Sequence, residues 1–184
     1  MSLQEQKNKN VILYFLNKSP EKSLDRLKLM KLLWLSDRYH LNKYGRKITK
    51  SEYFAMPRGP VASEILDLLN KNEDSIKRLG NNQIAIQETD TKFLSKTDML
   101  IMDEVWNYFK DAHQFDLVNS SHEFPEWKRF ENYLQDPNMP NSYVIVEEDF
   151  FEKNDFLNAV CDEIRESSKQ EYLYNKSLTS ALGL

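Results

Sequence analysis

The sequence predicts a mainly α fold, a compact multi-helix single domain with a minor β-hairpin. Turn residues are scarce, with 4 glycines and 6 prolines in 184 residues, which favours helices over a many-stranded sandwich or barrel. Hydrophobic residues make up 40% of the chain, enough for one sizeable core, and several segments repeat them at helical spacing. From the length we expect a single helical domain over residues 4–168 and a partly ordered C-terminal tail over 169–184.

Two helices are predicted at the start of the chain. Residues 4–18 carry apolar side chains at helical spacing, and Ser19 with Pro20 ends that helix. Ser23 is a candidate N-cap for a second, longer helix that runs to about Tyr44. Gly45 is the residue expected to end it, because glycine adopts the left-handed conformation found after many helices.

The middle of the second helix, residues 29–35, is apolar nearly all round, as expected of a helix buried in a bundle. Lys31 interrupts this surface, and Arg38 lies on the same stripe one heptad later. Burying an unpaired lysine costs several kcal/mol or lowers its pKa. Lys31, Arg38 and the neighbouring Trp34 are therefore candidate partner-binding residues; pairing inside the fold or extension to the surface is the alternative.

A short extended segment is expected to end at Arg58, before a predicted helix over residues 60 to about 70. Gly59 and Pro60 predict its start, because proline at the first helical position is preorganised for a helix. A helix start exposes N–H groups that can hold a carboxylate. We therefore add Arg58, Gly59, Pro60 and Val61 to the partner-binding candidates, with a rigid turn as the alternative role of the Gly-Pro pair.

The residue pattern in the remainder of the chain predicts one short β-hairpin followed by four helices. The hairpin is expected within 81–93. A capping box of Ser95 and Asp98 begins the first of the four helices, and a short helix follows near 115–120. Pro125 begins the third, and the last is expected over about 147–168.

The net charge of −4 is distributed unevenly along the chain. Residues 1–50 carry 12 Lys and Arg against 4 Asp and Glu, a net +8, whereas residues 111–150 carry 2 against 9, a net −7. A basic segment can attract an acidic partner or a nucleic acid. Alternatively, the opposite charges face each other across the fold or lie in solvent.

Candidate catalytic and metal-binding residues are few. The nucleophile-elbow, P-loop, Rossmann and H-E-x-x-H motifs are all missing from the sequence. His122 has Glu123 and Glu126 nearby, which allows a loose metal site and a hydrolase built around it. Cys161, the only cysteine, is predicted to be a buried apolar residue. With no signal peptide and no apolar run near the ~20 residues that span a membrane, we expect a cytoplasmic protein without a membrane partner.

An ordered set of motifs resembles the Panacea domain of SocA-like antitoxins, which also occurs in phage-associated proteins. The family pattern is a helix rich in lysine and leucine, a tyrosine-glycine stop, a Gly-Pro-Val step and a later histidine-to-tryptophan element. The residues that carry it here are 28–41, 44–49, 55, 59–61, 117–122 and 127.

This resemblance implies the antitoxin half of a toxin–antitoxin system, which binds and neutralises a protein toxin encoded by an adjacent gene. It implies neither a reaction nor a cofactor, so we expect no catalytic residue and no metal ligand. By position it adds His122 and Trp127 to the partner-binding candidates. An apolar groove rimmed by the basic N-terminal half is the expected binding surface. Two alternatives remain open: a nucleic-acid-binding autoregulator that binds its own operon DNA, and the metal-dependent hydrolase around His122.

Overall fold

The computed structural model describes residues 2–71, 74–154 and 160–182, and the mainly α prediction is confirmed over these residues. The helices are α1 (Leu3–Lys18), α2 (Arg26–Tyr44), α3 (Ser63–Asn70), α4 (Lys96–Phe109), α5 (Gln114–Ser121), α6 (Pro125–Lys128), α7 (Glu131–Gln135) and α8 (Asp162–Leu182). The strands are β1 (Ser23–Asp25), β2 (Tyr53–Met56), β3 (Gly59–Ala62), β4 (Ile76–Leu79), β5 (Asn82–Ala85) and β6 (Tyr143–Val144). Single 3-10 turns cover Thr91–Phe93 and Glu147–Phe151.

Helix α2 lies at the centre of the fold and packs against α4, α5, α8 and β3. Every side chain from 29 to 42 is buried, which confirms the expected burial on all sides. The predicted start at Ser23 is wrong, because that residue lies in β1. Asp25 caps the helix instead, with its carboxylate 2.8 Å from the Leu27 N–H. Gly45 ends it at φ 64°, as predicted.

The β structure is more extensive than the single hairpin that the sequence predicts. Strands β4 and β5 form an antiparallel hairpin, and β1 pairs with the free edge of β5. The hairpin therefore lies a few residues before the predicted span of 81–93, with Gly80 in its turn at φ 59°. A second three-stranded antiparallel sheet has the order β3-β2-β6.

The Gly-Pro-Val segment is a strand and not the predicted helix start. Gly59 and Pro60 belong to β3 and lie opposite Met56 and Ala55 of β2. Proline restricts φ to a value that suits the first turn of a helix and an extended strand alike, so the local pattern could not separate the two. Helix α3 begins only at Ser63.

One cluster of buried hydrophobic side chains extends from α1 through α6 to the 3-10 turn at Glu147–Phe151. It includes residues from both sheets as well as from α2, α3, α4 and α5. The two sheets and the helices around α2 therefore share a core, which fixes the position of β3 relative to α2.

The C-terminal region differs from the sequence prediction. A last helix over 147–168 is wrong: residues 147–151 form a 3-10 turn, α8 starts at Asp162, and residues 155–159 lie outside the described part. Helix α8 continues to Leu182 and so crosses residue 168, where we expected the domain to end; that boundary stays a prediction. Cys161 is exposed, contrary to the expected burial. None of the described helices combines the length and the apolar character needed to cross a membrane.

Candidate functional site

The two strongest sequence motifs meet directly in the interior, between α2 and β3. Lys31 is only 1% exposed, and its Nζ donates a hydrogen bond of 3.0 Å to the Pro60 carbonyl oxygen. Gly59 packs against the same side chain: a Cβ at this position would lie 2.5 Å from Lys31 Nζ and would overlap Ser121 Oγ. We call Lys31, Gly59, Pro60 and Ser121 the lysine junction.

Burial governs the electrostatics of the lysine junction. Removal from water lowers the pKa of Lys31 to about 7. Its hydrogen-bond acceptor is a neutral backbone carbonyl, and no ion pair joins Lys31 to any carboxylate of the described residues. Ser121 completes the junction from the end of α5, where its hydroxyl donates to the Val118 carbonyl oxygen at 2.7 Å. Ser121 lies within the 117–122 segment of the family pattern but was not among the partner-binding candidates, because a serine in a short helix carries no distinctive signal of its own.

His122 and Trp127 lie beside the lysine junction and stack on each other, with ring centroids 3.7 Å apart and planes inclined by 10°. The indole Nε1 of Trp127 donates to the Met56 carbonyl oxygen at 2.8 Å, which ties α6 to β2. Burial lowers the pKa of His122, and the positive charge of Lys31 lowers it further. The histidine-to-tryptophan element thus supports the turn between β2 and β3.

Trp34 and Arg38 take part in a second buried polar cluster, centred on Glu126 of α6. The carboxylate oxygen Oε1 of Glu126 accepts hydrogen bonds of 3.1 Å from both Trp34 Nε1 and Arg38 Nε. The Phe124 ring lies 4.8 Å from the Arg38 guanidinium carbon. Burial raises the pKa of Glu126, and the charge of Arg38 opposes that rise. Trp34 and Arg38 therefore face inward and join α2 to α6.

These contacts also bear on the residues considered for a metal site. Glu126 is directed at Arg38 and Trp34, whereas His122 stacks on Trp127. Across residues 2–71, 74–154 and 160–182, no three His, Cys, Asp or Glu side chains come together as a metal-binding group.

Arg58 and Val61 are placed differently, on the wall of an open groove of about 520 Å³. The groove lies between the start of α2, strand β3, the β4–β5 hairpin and the start of α5. Three arginines surround it, and we call it the arginine groove. Its principal lining residues are Arg26, Arg58, Arg78, Met30, Val61 and Phe115. Arg58 and Val61 were candidates from the sequence. Arg26, Arg78 and Phe115 were not, because they are far apart along the chain and meet only in the folded structure.

Most of the excess basic charge in the first 50 residues is neutralised within the fold. At least seven of its 12 Lys and Arg side chains lie within ion-pair distance of a carboxylate. They are Lys7, Lys18, Lys22, Arg38, Lys43, Arg46 and Lys47. Only Arg38 and Lys47 pair with carboxylates of the acidic segment 111–150; the other five cations pair with carboxylates between residues 88 and 104.

A comparison with protein families matches residues 29–128 to the family described as "Antitoxin SocA-like, Panacea domain". The match covers more than half of the chain and contains all nine partner-binding candidates, from Lys31 to Trp127. It extends from α2 to α6, so that α1, α7, α8 and residue Arg26 of the groove lie outside it. Comparisons with curated proteins and with solved structures give no match.

Proposed function

The chain belongs to the SocA-like antitoxin family with a Panacea domain, and from this premise we propose that it is a protein-binding antitoxin. Its partner is a protein toxin encoded by an adjacent gene, which it neutralises in the cytoplasm by direct contact. The family match over residues 29–128 is the observation that carries this proposal.

The placement of the motif residues supports a role as a scaffold. Lys31 donates to the Pro60 carbonyl, and Arg38 with Trp34 donates to Glu126. These hydrogen bonds lie in the interior and connect α2 to β3 and to α6. The surface that this scaffold presents, including the arginine groove, is left available for a partner.

The alternative of a nucleic-acid-binding autoregulator draws less support from the structure. Binding to DNA depends on cationic side chains that are free to neutralise phosphates. Most cations of the basic segment already contact carboxylates of this chain. A protein partner fits this distribution of charge better than a nucleic acid does.

Co-expression with the product of the neighbouring gene tests the proposal. We expect the neighbour alone to arrest growth, and we expect growth to return when this chain is expressed beside it. The two proteins should then purify together at a fixed ratio. A neighbour that is harmless alone, or that remains toxic in the presence of this chain, contradicts the proposal.

We propose that neutralisation occurs by binding, without a cofactor and without a reaction catalysed by this chain. A titration of toxin activity with purified chain distinguishes binding from catalysis. Binding predicts residual toxin activity that falls in proportion to the amount added and ends at a fixed molar ratio. Complete inactivation by a small fraction of that amount would identify an enzymatic mechanism instead.

A further inference from the structure

The arginine groove combines a cationic rim with an apolar lining. Arg26 comes from the start of α2, Arg58 from the turn between β2 and β3, and Arg78 from β4. Met30, which is buried, and Val61 also line the groove, and the exposed ring of Phe115 borders it from α5. Three separate parts of the chain thus place guanidinium groups around one space of about 520 Å³.

The positive charge of this groove is not neutralised from within the described part of the chain. Arg26 donates to the Asn70 side-chain oxygen at 2.7 Å, and Arg78 to the Gly80 carbonyl oxygen at 3.0 Å. Both acceptors are uncharged, and Arg58 is exposed with no hydrogen bond to a described residue. The three groove arginines therefore differ from the cations of residues 1–50, most of which pair with carboxylates.

The charged side chains that line the groove leave an excess of positive charge, since three arginines face a single carboxylate. Asp25 is the one carboxylate among the described residues that line it. Its Oδ1 already accepts hydrogen bonds from the Leu27 and Lys28 backbone N–H groups as the cap of α2. Burial lowers the pKa of Arg26, and the nearby charge of Arg78 lowers it further, which indicates two cations in close proximity.

We infer that the arginine groove binds an acidic segment of the partner protein, with carboxylates on the three guanidinium groups and an apolar side chain against Val61 and Phe115. This inference rests on the proposed function for the existence of the partner. A planar guanidinium can bind a carboxylate through two parallel hydrogen bonds. Such pairing removes the repulsion among the cations, and the apolar lining gains from burial by a peptide side chain.

The lining favours a peptide over a nucleic acid. Phosphate backbones are bound by cationic surfaces that need no apolar floor, whereas Val61 and Phe115 offer apolar area beside the arginines. The whole chain also carries a net charge of −4, which gives no long-range attraction for an extended polyanion such as DNA and leaves the groove as a local positive site.

Binding measurements with charge-matched variants test the inference. The groove variant is Arg26→Gln, Arg58→Gln and Arg78→Gln combined. The control variant changes three exposed lysines outside the groove, Lys77→Gln, Lys96→Gln and Lys110→Gln, and so alters the net charge equally. Each full-length protein is titrated with the purified product of the neighbouring gene at two salt concentrations, and circular dichroism verifies that both variants are folded.

We expect the groove variant to bind at least about 10-fold more weakly than the wild type, because it loses three charged hydrogen-bond donors to the partner. The control variant should retain wild-type affinity at the higher salt concentration. Because Arg26 also bonds to Asn70, the double variant Arg58→Gln and Arg78→Gln is measured too and should show part of the loss. Phe115→Ser should weaken binding without changing its dependence on salt.

The outcomes separate this inference from the proposed function. Equal affinities of the groove variant and the wild type overturn the inference and leave the antitoxin proposal standing. A wild-type chain that does not bind the neighbour at all overturns both. A parallel titration with duplex operon DNA gives the remaining outcome: if the groove variant loses DNA binding while it still binds the neighbour, the groove is a nucleic-acid site and the peptide inference is wrong.

Discussion

Gly59 is the residue whose replacement the lysine junction tolerates least. Its φ of 92° is one that residues with a Cβ rarely adopt, and a Cβ would overlap Ser121 Oγ and lie 2.5 Å from Lys31 Nζ. We expect Gly59→Ala to reduce the free energy of unfolding by about 2–4 kcal/mol, because backbone strain and overpacking each cost about 1–3 kcal/mol. Urea denaturation measures the loss.

Gly80→Ala provides the matched control for this substitution. Gly80 also has a positive φ, of 59°, but a Cβ there would meet nothing within 4 Å. We expect it to lose only about 1–2 kcal/mol, the cost of the left-handed backbone alone. Equal losses in the two variants would contradict the close packing of Gly59 against Lys31 and Ser121.

Lys31 makes the stability of the protein depend on pH. Burial lowers its pKa to about 7 in the folded chain, from an ordinary value of 10.5. Between these two values the unfolded chain binds the proton more tightly, so folded stability rises with pH by at most about 1.4 kcal/mol per unit. We expect this rise to be absent in Lys31→Met. The measurement is the unfolding free energy of the wild type minus that of Lys31→Met, which should increase from pH 7 to pH 10.

The exposed Lys77→Met is the control for Lys31→Met, since it removes a lysine of the same chain from solvent-exposed surface. Its unfolding free energy should follow the wild-type pH profile. If the wild type and Lys31→Met give parallel profiles, the lysine is not buried in the way that the junction requires.

The sequence indicated which residues are unusual but not which atoms they contact. A lysine in an apolar stripe is recognisable from its spacing alone. Its acceptor is the carbonyl of Pro60, 29 residues away, and the Arg38 partner Glu126 is 88 residues away. Such pairs depend on how the elements pack, and polar residues such as Ser121 give no local sign of their role.

At the scale of elements, Asp98 at the start of α4 joins three parts of the fold. Its buried carboxylate lies 2.7 Å from Lys7 Nζ on α1, 3.0 Å from the Arg46 guanidinium after α2 and 3.3 Å from His40 Nε2 within α2. Burial alone would raise the pKa of Asp98, but hydrogen bonds from His40, Lys7 and the Ser95 backbone hold it well below its ordinary value.

We therefore expect the stabilisation from Asp98 to be complete at neutral pH and to be lost as the pH falls below the ordinary aspartate value of 3.8. Asp98→Asn should cost about 2–4 kcal/mol at pH 7 and show a shallower loss of stability in acid. Asp103→Asn, on the same helix with a carboxylate 42% exposed, should cost less than about 1 kcal/mol. Chemical denaturation at pH 7 and pH 3.5 measures both; equal costs would contradict the role given to Asp98.

Helix ends were predictable where a local rule determines them. The capping box of Ser95 and Asp98 is confirmed, as is Gly45 at the end of α2. The errors fall where distant pairing decides: Ser23 could have capped a helix but pairs with β5, and Gly59 and Pro60 could have started one but pair with β2. A local pattern permits both outcomes, and only the neighbouring strand selects one of them.

At the scale of the whole molecule, α8 closes the fold against α2 and the 3-10 turn at Glu147–Phe151. The Ser168 carbonyl approaches Gly45 so closely that a Cβ there would lie 3.1 Å from it. One turn further, the Tyr172 ring packs on Phe151 at 5.6 Å, and its hydroxyl donates to Glu147 at 2.9 Å. Beyond residue 176, in contrast, α8 is exposed up to Leu182.

Two shortened chains distinguish the packed part of α8 from the exposed part. We expect removal of residues 169–184 to lower the melting temperature by about 2–8 °C, because burial of part of Tyr172 is worth about 1–2 kcal/mol and each kcal/mol shifts a chain of this size by about 2–4 °C. Removal of residues 177–184 should change it by less than about 2 °C.

Equal melting temperatures for both shortened chains would mean that the domain ends near residue 168, as the sequence alone predicts. A larger loss in the shorter chain would instead place the structural boundary inside α8, after Tyr172, at a position that the apolar pattern of the sequence does not mark.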